Sequence, residues 1–403
     1  MQHPDRTRLD SLDLLRGIAI LGILPMNVLG FALPFEAYSN PLAMGPLTQG
    51  EWWAWRVSHL VFDQKFITIF SALFGAGLLL LDAKATRAGH GTGWFLRRMG
   101  WLLAIGMLHA YLLWSGDILA CYAIVGTLAW LLRRLPSGWL VAIGLALLAV
   151  PVLIALLLHA LVRFMPAEAI EGMRLQWSPP REELERAIDA YRGGWLEQMP
   201  QRAMDTLMFQ LAVFFLWALW RVGGVMLLGM VLLRSGFLAA RWSTGAYASI
   251  ALAGLAVGGA ISGWGLRWNE AIQYAAPDAM TIGPIFNYVG SLFSALGWAA
   301  VAMLLSRLDV PASILPTLEG VGRTSLSNYL LQTAICTTIF YGHGLGWHGH
   351  VDRVHLLLVV LLVWLIQVTL TTFWLRRFEI GPVEWAWRSL ADWRRLPIRP
   401  REA

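Results

Sequence analysis

The chain has 403 residues, 57% hydrophobic and only 14% charged, with a formal net charge of +6. A soluble domain carries about 25% charged residues, so a soluble globular protein is excluded. Nucleic acid is excluded as the partner of the basic balance, because Lys and Arg flank apolar blocks and form no single patch.

The apolar residues fall in blocks of about twenty, the length that spans a bilayer core. The first block follows Arg6, Arg8 and Arg16, in the manner of a signal peptide. It runs on to about Pro34 without a small-residue cleavage site, and so reads as a retained helix. Helices are predicted at roughly 12–33, 60–81, 95–115, 118–135 and 138–161, then at 207–233, 244–265, 283–306, 325–342 and 355–375. The Trp-rich stretch 50–65 reads as lying along the interface before the second helix. Many of the 22 Trp residues sit at block edges, where amphipathic rings settle at the headgroup level. Cys121 and Cys336 lie inside apolar blocks and offer no disulfide framework.

With the N-terminus inside, twenty Lys and Arg fall on the inner side and ten on the outer, with Arg221 left in mid-membrane. Six of the outer ten belong to one long loop, 163–205, where the positive-inside rule is weakest. The expectation is an all-α polytopic bundle of about ten transmembrane helices, a single integral membrane domain over 1–403 with both termini cytoplasmic. The loop at about 163–205 would be extracytoplasmic. Within it 180–193 reads as a short charged helix, a surface cap over the outer side.

Charges and amides inside the membrane are the candidates for chemistry. In the first helix, Arg16 and Asn27 are eleven residues apart, which puts them on one face with a rise of about 16 Å. Arg16 as a snorkelling anchor and Asn27 as interhelical glue is the competing reading. In the second helix Lys65 stands near the outer face, and Gly75 and Gly77 permit close packing. In the third, Arg98 and His109 repeat the eleven-residue spacing, with Arg97 beside Arg98 and Asp117 just beyond. A neutral imidazole there is a general base, nucleophile or relay, or a satisfied buried side chain. Asp117 alone also reads as a helix cap. Arg221 needs an anionic partner or a watery cavity. Asn328 and Gln332, four apart, share a face as interhelical glue. His343, His348, His350 and His355 with Asp352 fit no strong zinc spacing, and no metal is expected.

The segments DLLRGIAILGILPMN (13–27), KFITIFSALFGAG (65–77), RRMGWLLAIGMLHAYLLWSGDILACYAIVG (97–126), GRTSLSNYLLQT (322–333) and GPVEWAWR (381–388) occur in this order. Together they resemble the YeiB-like family of bacterial inner-membrane proteins over about 10–390. Through the first helix the chain is similar to the wider superfamily of transmembrane acyltransferases. That resemblance implies a transfer of an acyl group from cytoplasmic acyl-CoA to an extracytoplasmic acceptor, in a multi-pass protein of the bacterial inner membrane. In the O-acyltransferases an Arg is followed eleven residues later by an essential His. Arg16 matches the Arg, but Asn27 stands where the His would be, and an amide is no base. The base would then be His109, with Asp117 orienting it and Asn27 donating to the thioester oxygen. Arg16, Arg97, Arg98 and Arg323 would hold the CoA phosphates, while Lys65 lies on the acceptor's path. A small-molecule transporter or exporter centred on Arg221 is the alternative, and a non-catalytic scaffold or sensor the third. The sequence leaves the acceptor and a homo-oligomer open.

Overall fold

A computed structural model describes residues 4–307 and 314–399. Arg401, counted above on the inner side, lies outside the described residues, as do the side chains of Arg6 and Arg8. All regular elements among the described residues are helices. Each of the ten apolar blocks contains one. Among the described residues seven helices are long and apolar enough to cross a membrane: Asp10–Ala32, Gln49–Arg87, Ser137–Val162, Met199–Arg234, Thr244–Ala271, Asp278–Leu305 and Arg353–Leu375. Of the other three, Leu119–Leu131 and Ser325–Phe340, with 13 and 16 residues, are shorter than the roughly 20 a straight crossing requires. Thr92–Leu112 carries Arg97 and Arg98 in its second turn.

The elements that build the site are α1 (Pro4–Ala32), α2 (Gln49–Val57), α3 (Lys65–Arg87), α4 (Thr92–Leu112) and α5 (Leu119–Leu131). Later in the chain come α6 (Ile314–Arg323), α7 (Ser325–Phe340), α8 (Arg353–Leu375) and α9 (Pro382–Asp392). Their starts follow local chemistry. Thr48 and Glu51 form a capping box at α2, and Asp352 accepts from the amides of Val354 and His355 at α8.

The stretch 50–65 is packed into the bundle on one side. Trp55 is buried and donates to Tyr274 Oη at 2.9 Å, while Trp53 stays exposed. A turn of π-helix, Ser58–Phe62, follows. Gln64 then sits in the left-handed region with φ 63°, a conformation that costs a side-chain-bearing residue about 1–2 kcal/mol. Gln64 thus separates Asp63 from Lys65, the first residue of α3.

Small residues set the crossings, as they do between membrane helices. A Cβ on Gly75 would overlap the Met226 backbone, so α3 and Met199–Arg234 touch main chain to main chain there. Gly77, expected to share that role, has nothing near it and faces a cavity.

Candidate functional site

A cavity of about 660 Å³ runs through the bundle. Its wall on α1 is Arg16, Ile20, Ile23, Met26, Asn27 and Gly30, continued by Leu33 just past the helix end. With Met26 beside Asn27, these follow a repeat of three and four, so a single stripe of the helix faces the opening. From Arg16 to Leu33 the rise is about 25 Å, close to the thickness of a bilayer core of about 30 Å. Ile67, Phe70, Leu73 and Phe74 of α3, with Leu102 and Leu119, make the middle apolar.

One end of the cavity is basic. Arg16, Arg98, Arg323 and Arg388 line it, from α1, α4, α6 and α9. The one acid among the described residues that line this end, Glu384, is occupied: it accepts from the amides of Leu326 and Ser327 and from the Ser327 hydroxyl, and so caps α7. Arg16 pairs with Asp13 at 2.5 Å. The Arg98 guanidinium lies 4.2 Å from the Trp387 ring centroid, and its Nε is buried without a partner. Arg97 does not line the cavity; its Nε donates to the Ala391 carbonyl, which ties α9 to α4. Arg388, from the quoted GPVEWAWR segment, stands in the wall instead.

Towards the other end, His59 and Asp63 share the wall, with Nδ1 3.1 Å from Asp63 Oδ2 but not aligned for a hydrogen bond. The His59 ring stacks on Trp55, centroids 5.5 Å apart. Asp63 Oδ2 accepts from Asn287 Nδ2 at 2.7 Å. Asn287 Oδ1 in turn accepts from Lys65 Nζ at 2.6 Å and Ser262 Oγ at 3.0 Å. Lys65 completes the frame by donating to the His59 carbonyl at 2.7 Å. Lys65 is therefore neither a snorkelling anchor nor part of the cavity wall. It is fully buried and holds the His59–Asp63 pair from behind.

His109, Asp117, Arg221, Asn328 and Gln332 lie behind the wall. His109, 2% exposed, has Nδ1 2.8 Å from Asp117 Oδ1 and Nε2 2.9 Å from Thr333 Oγ1. The carboxylate accepts from Nδ1–H, so Nε2 accepts from the threonine. Both nitrogens are engaged, and neither His109 nor Asp117 lines the cavity. Asp117 Oδ2 also accepts from Ala120 N at 2.8 Å, which makes it a cap of α5. Arg221 donates to the Tyr288 carbonyl, Thr68 Oγ1 and Ser291 Oγ, all within 2.8 Å, and clamps three helices together. Asn328 bonds Thr324 and Thr371, while Gln332 bonds the Ile20 carbonyl and Gln367. Both act as interhelical glue. His355 pairs with Asp352 at 2.6 Å, whereas His348 turns inward and is buried.

His59 was not visible as a candidate in the sequence. Its signal is HLVFD (59–63), which places an imidazole and a carboxylate one helical turn apart. The long loop closes this end of the cavity with Trp177, Tyr191, Gln201 and Asp205. Trp177 Nε1 donates to the Tyr274 carbonyl at 2.7 Å, and Arg202 donates to the Leu112 carbonyl at 2.6 Å, which fasten the loop to the bundle.

A family described as a protein of unknown function, DUF418, matches residues 232–394. The chain is 35% identical over 386 residues to the uncharacterized protein YeiB of Escherichia coli (strain K12), covering 94% of this chain and 95% of that one. It is 28% identical over 399 residues to the uncharacterized protein YxaH of Bacillus subtilis (strain 168), covering 95% and 94%. No solved structure matches.

Proposed function

The chain belongs to the YeiB-like family, and from its cavity we propose that it is a membrane acyltransferase, moving an acyl group from acyl-CoA at the arginine end to an acceptor that enters at the loop end. The observation that carries this reading is a passage of nearly membrane length, with four arginines at one end and a His–Asp pair in the wall towards the other. Acyl transfer across a membrane needs an anion site, an apolar channel for the acyl arm and a base beyond it. The sign rule puts the arginine end in the cytoplasm. We place the protein in the bacterial inner membrane with about ten spans and both termini inside.

The arginines hold the phosphates of the donor. The acyl arm lies along the α1 stripe and brings the thioester towards Asn27. Asp63 stands beside His59 Nδ1 and stabilises the imidazolium as it forms, and Nε2 takes the proton from the acceptor's hydroxyl or amine. The acceptor atom forms its bond to the acyl carbon while the Asn27 amide donates to the oxygen as charge develops. The C–S bond then breaks, and CoA leaves as the thiol with the proton from His59. This moves the base from His109 to His59, because a base needs a nitrogen that meets the substrate.

The test is release of CoA from labelled acetyl-CoA by the purified protein in nanodiscs, for wild type and His59→Ala. Wild type is expected to release CoA and the variant not to. If wild type turns over none of several acyl-CoAs, acyl transfer is wrong. The same passage would then be a transporter's, with solute uptake into proteoliposomes as its assay.

A further inference from the structure

Apart from Glu384, whose carboxylate caps α7, the charged groups of the cavity are sorted by sign. All four of its arginines lie at one end. The loop end presents Glu36 and Asp205, the latter also accepting from Tyr191 and Gln201, with Asp63 deeper, and the arginines behind this wall each donate to a backbone carbonyl. Arg192 donates to the Gly346 carbonyl, Arg202 to that of Leu112 and Arg353 to that of Ala37. None of the three lines the cavity.

An independent observation concerns His348, which lines the same end and is 2% exposed. Its Nδ1 lies 3.0 Å from the Phe31 carbonyl, and its Nε2 is buried without a partner. Burial pushes this imidazole down to about 4, with the Phe31 carbonyl opposing the shift and Arg192 adding to it. The ring is therefore neutral, Nδ1–H donates to Phe31, and Nε2 carries an unused lone pair. An unmet acceptor at such a depth calls for a donor. Gln64 Oε1, also in the wall, is buried and unmet. Burial also pushes the Glu36 carboxyl up; its own backbone amide opposes this, while the charges of Asp205 and Glu183 add to it. An arriving cation would relieve that. Tyr38, Trp177 and Tyr274 give the chamber aromatic faces suited to an ammonium group.

We infer that the loop-end chamber is a binding site for an ammonium-bearing, hydroxyl-rich ligand, held by Glu36, Asp205 and His348 Nε2 between aromatic walls. That this ligand is the acyl acceptor rests on the reading above; its binding does not. The probes are three molecules on one six-carbon chain: glucamine, its neutral polyol sorbitol and its acid gluconate. Calorimetry on the full chain in nanodiscs, without acyl-CoA, is expected to show glucamine binding at least about tenfold tighter than sorbitol, with gluconate weakest. Glu36→Gln, which keeps the shape and removes the charge, is expected to abolish about tenfold of that preference. Equal binding of the three, a preference for gluconate, no binding of glucamine, or an unchanged preference in a folded Glu36→Gln protein overturns the site. If that variant does not fold, the wild-type ranking alone decides. Selective glucamine binding by a protein that releases no CoA leaves the site standing and removes acyl transfer.

Discussion

His109 and His59 are both imidazoles beside a carboxylate, and the distances are alike, 2.8 Å to Asp117 and 3.1 Å to Asp63. They differ at Nδ1, which is hydrogen-bonded in His109 and only close to its carboxylate in His59, and in what meets the rest of the ring. Thr333 closes the second nitrogen of His109, and no part of that pair reaches the cavity. His59 and Asp63 are both in the cavity wall, with Asn287 beside them in it, and the three are braced from behind by Lys65. A His–Asp pair is thus not evidence of chemistry by itself. The same two side chains act as a cross-brace when both nitrogens are engaged, and in the proposed reaction serve as base and charge partner when one is left to a substrate.

The largest effect should come from breaking the open pair. His59→Ala is expected to lower the rate of CoA release by about 10²–10⁴, the usual worth of a positioned general base, with the thermal midpoint nearly unchanged. His109→Ala should do the reverse. It leaves the Asp117 carboxylate buried beside a void, at a cost of about 3 kcal/mol, while the rate per folded molecule holds. A folded His109→Ala protein without activity, beside an active His59→Ala one, would invert the comparison.

The contrast also shows how far the sequence could be read. The first helix was legible: Arg16 and Asn27, eleven apart, do share the stripe that faces the cavity, because helical geometry alone fixes that. The ten apolar blocks were legible for the same reason. The environment of His109 was not, since the group that closes its ring is 224 residues away. His59 was hidden differently. It sits in a π-helical turn ahead of a left-handed Gln64, and neither feature has a compositional mark, so the Trp-rich stretch read as a surface approach. Lys65 looked like an anchor because its partners, Asn287 and the His59 carbonyl, come from the fold.

A smaller effect should follow from loosening the brace and leaving the pair itself intact. Lys65→Met keeps the length of the side chain but leaves the His59 carbonyl and Asn287 Oδ1 short of a donor. The expected outcome is a loss of about 1–3 kcal/mol in stability and about tenfold in kcat, with the KM for acyl-CoA unchanged. Lys65 touches no substrate in this scheme and only positions, so Lys65→Arg should recover part of kcat. A change in KM alone would place Lys65 on the donor's path.

The smallest effects belong to the arginine end, where the same comparison can be made between neighbouring charges. Arg323 and Arg98 line the cavity, whereas Arg97 is turned to the Ala391 carbonyl. A phosphate held by several arginines loses only one of its contacts in a single variant. Arg323→Gln is therefore expected to raise the KM for acyl-CoA about fivefold and leave kcat alone. The increase should shrink as salt is raised, because ions screen an exposed charge. Arg97→Gln should change KM less than about twofold and show instead as a looser attachment of Pro382–Asp392, read by faster hydrogen exchange in that helix. Equal increases in KM for both variants would mean that the donor's phosphates sit outside the cavity mouth, on the shared surface of the two arginines.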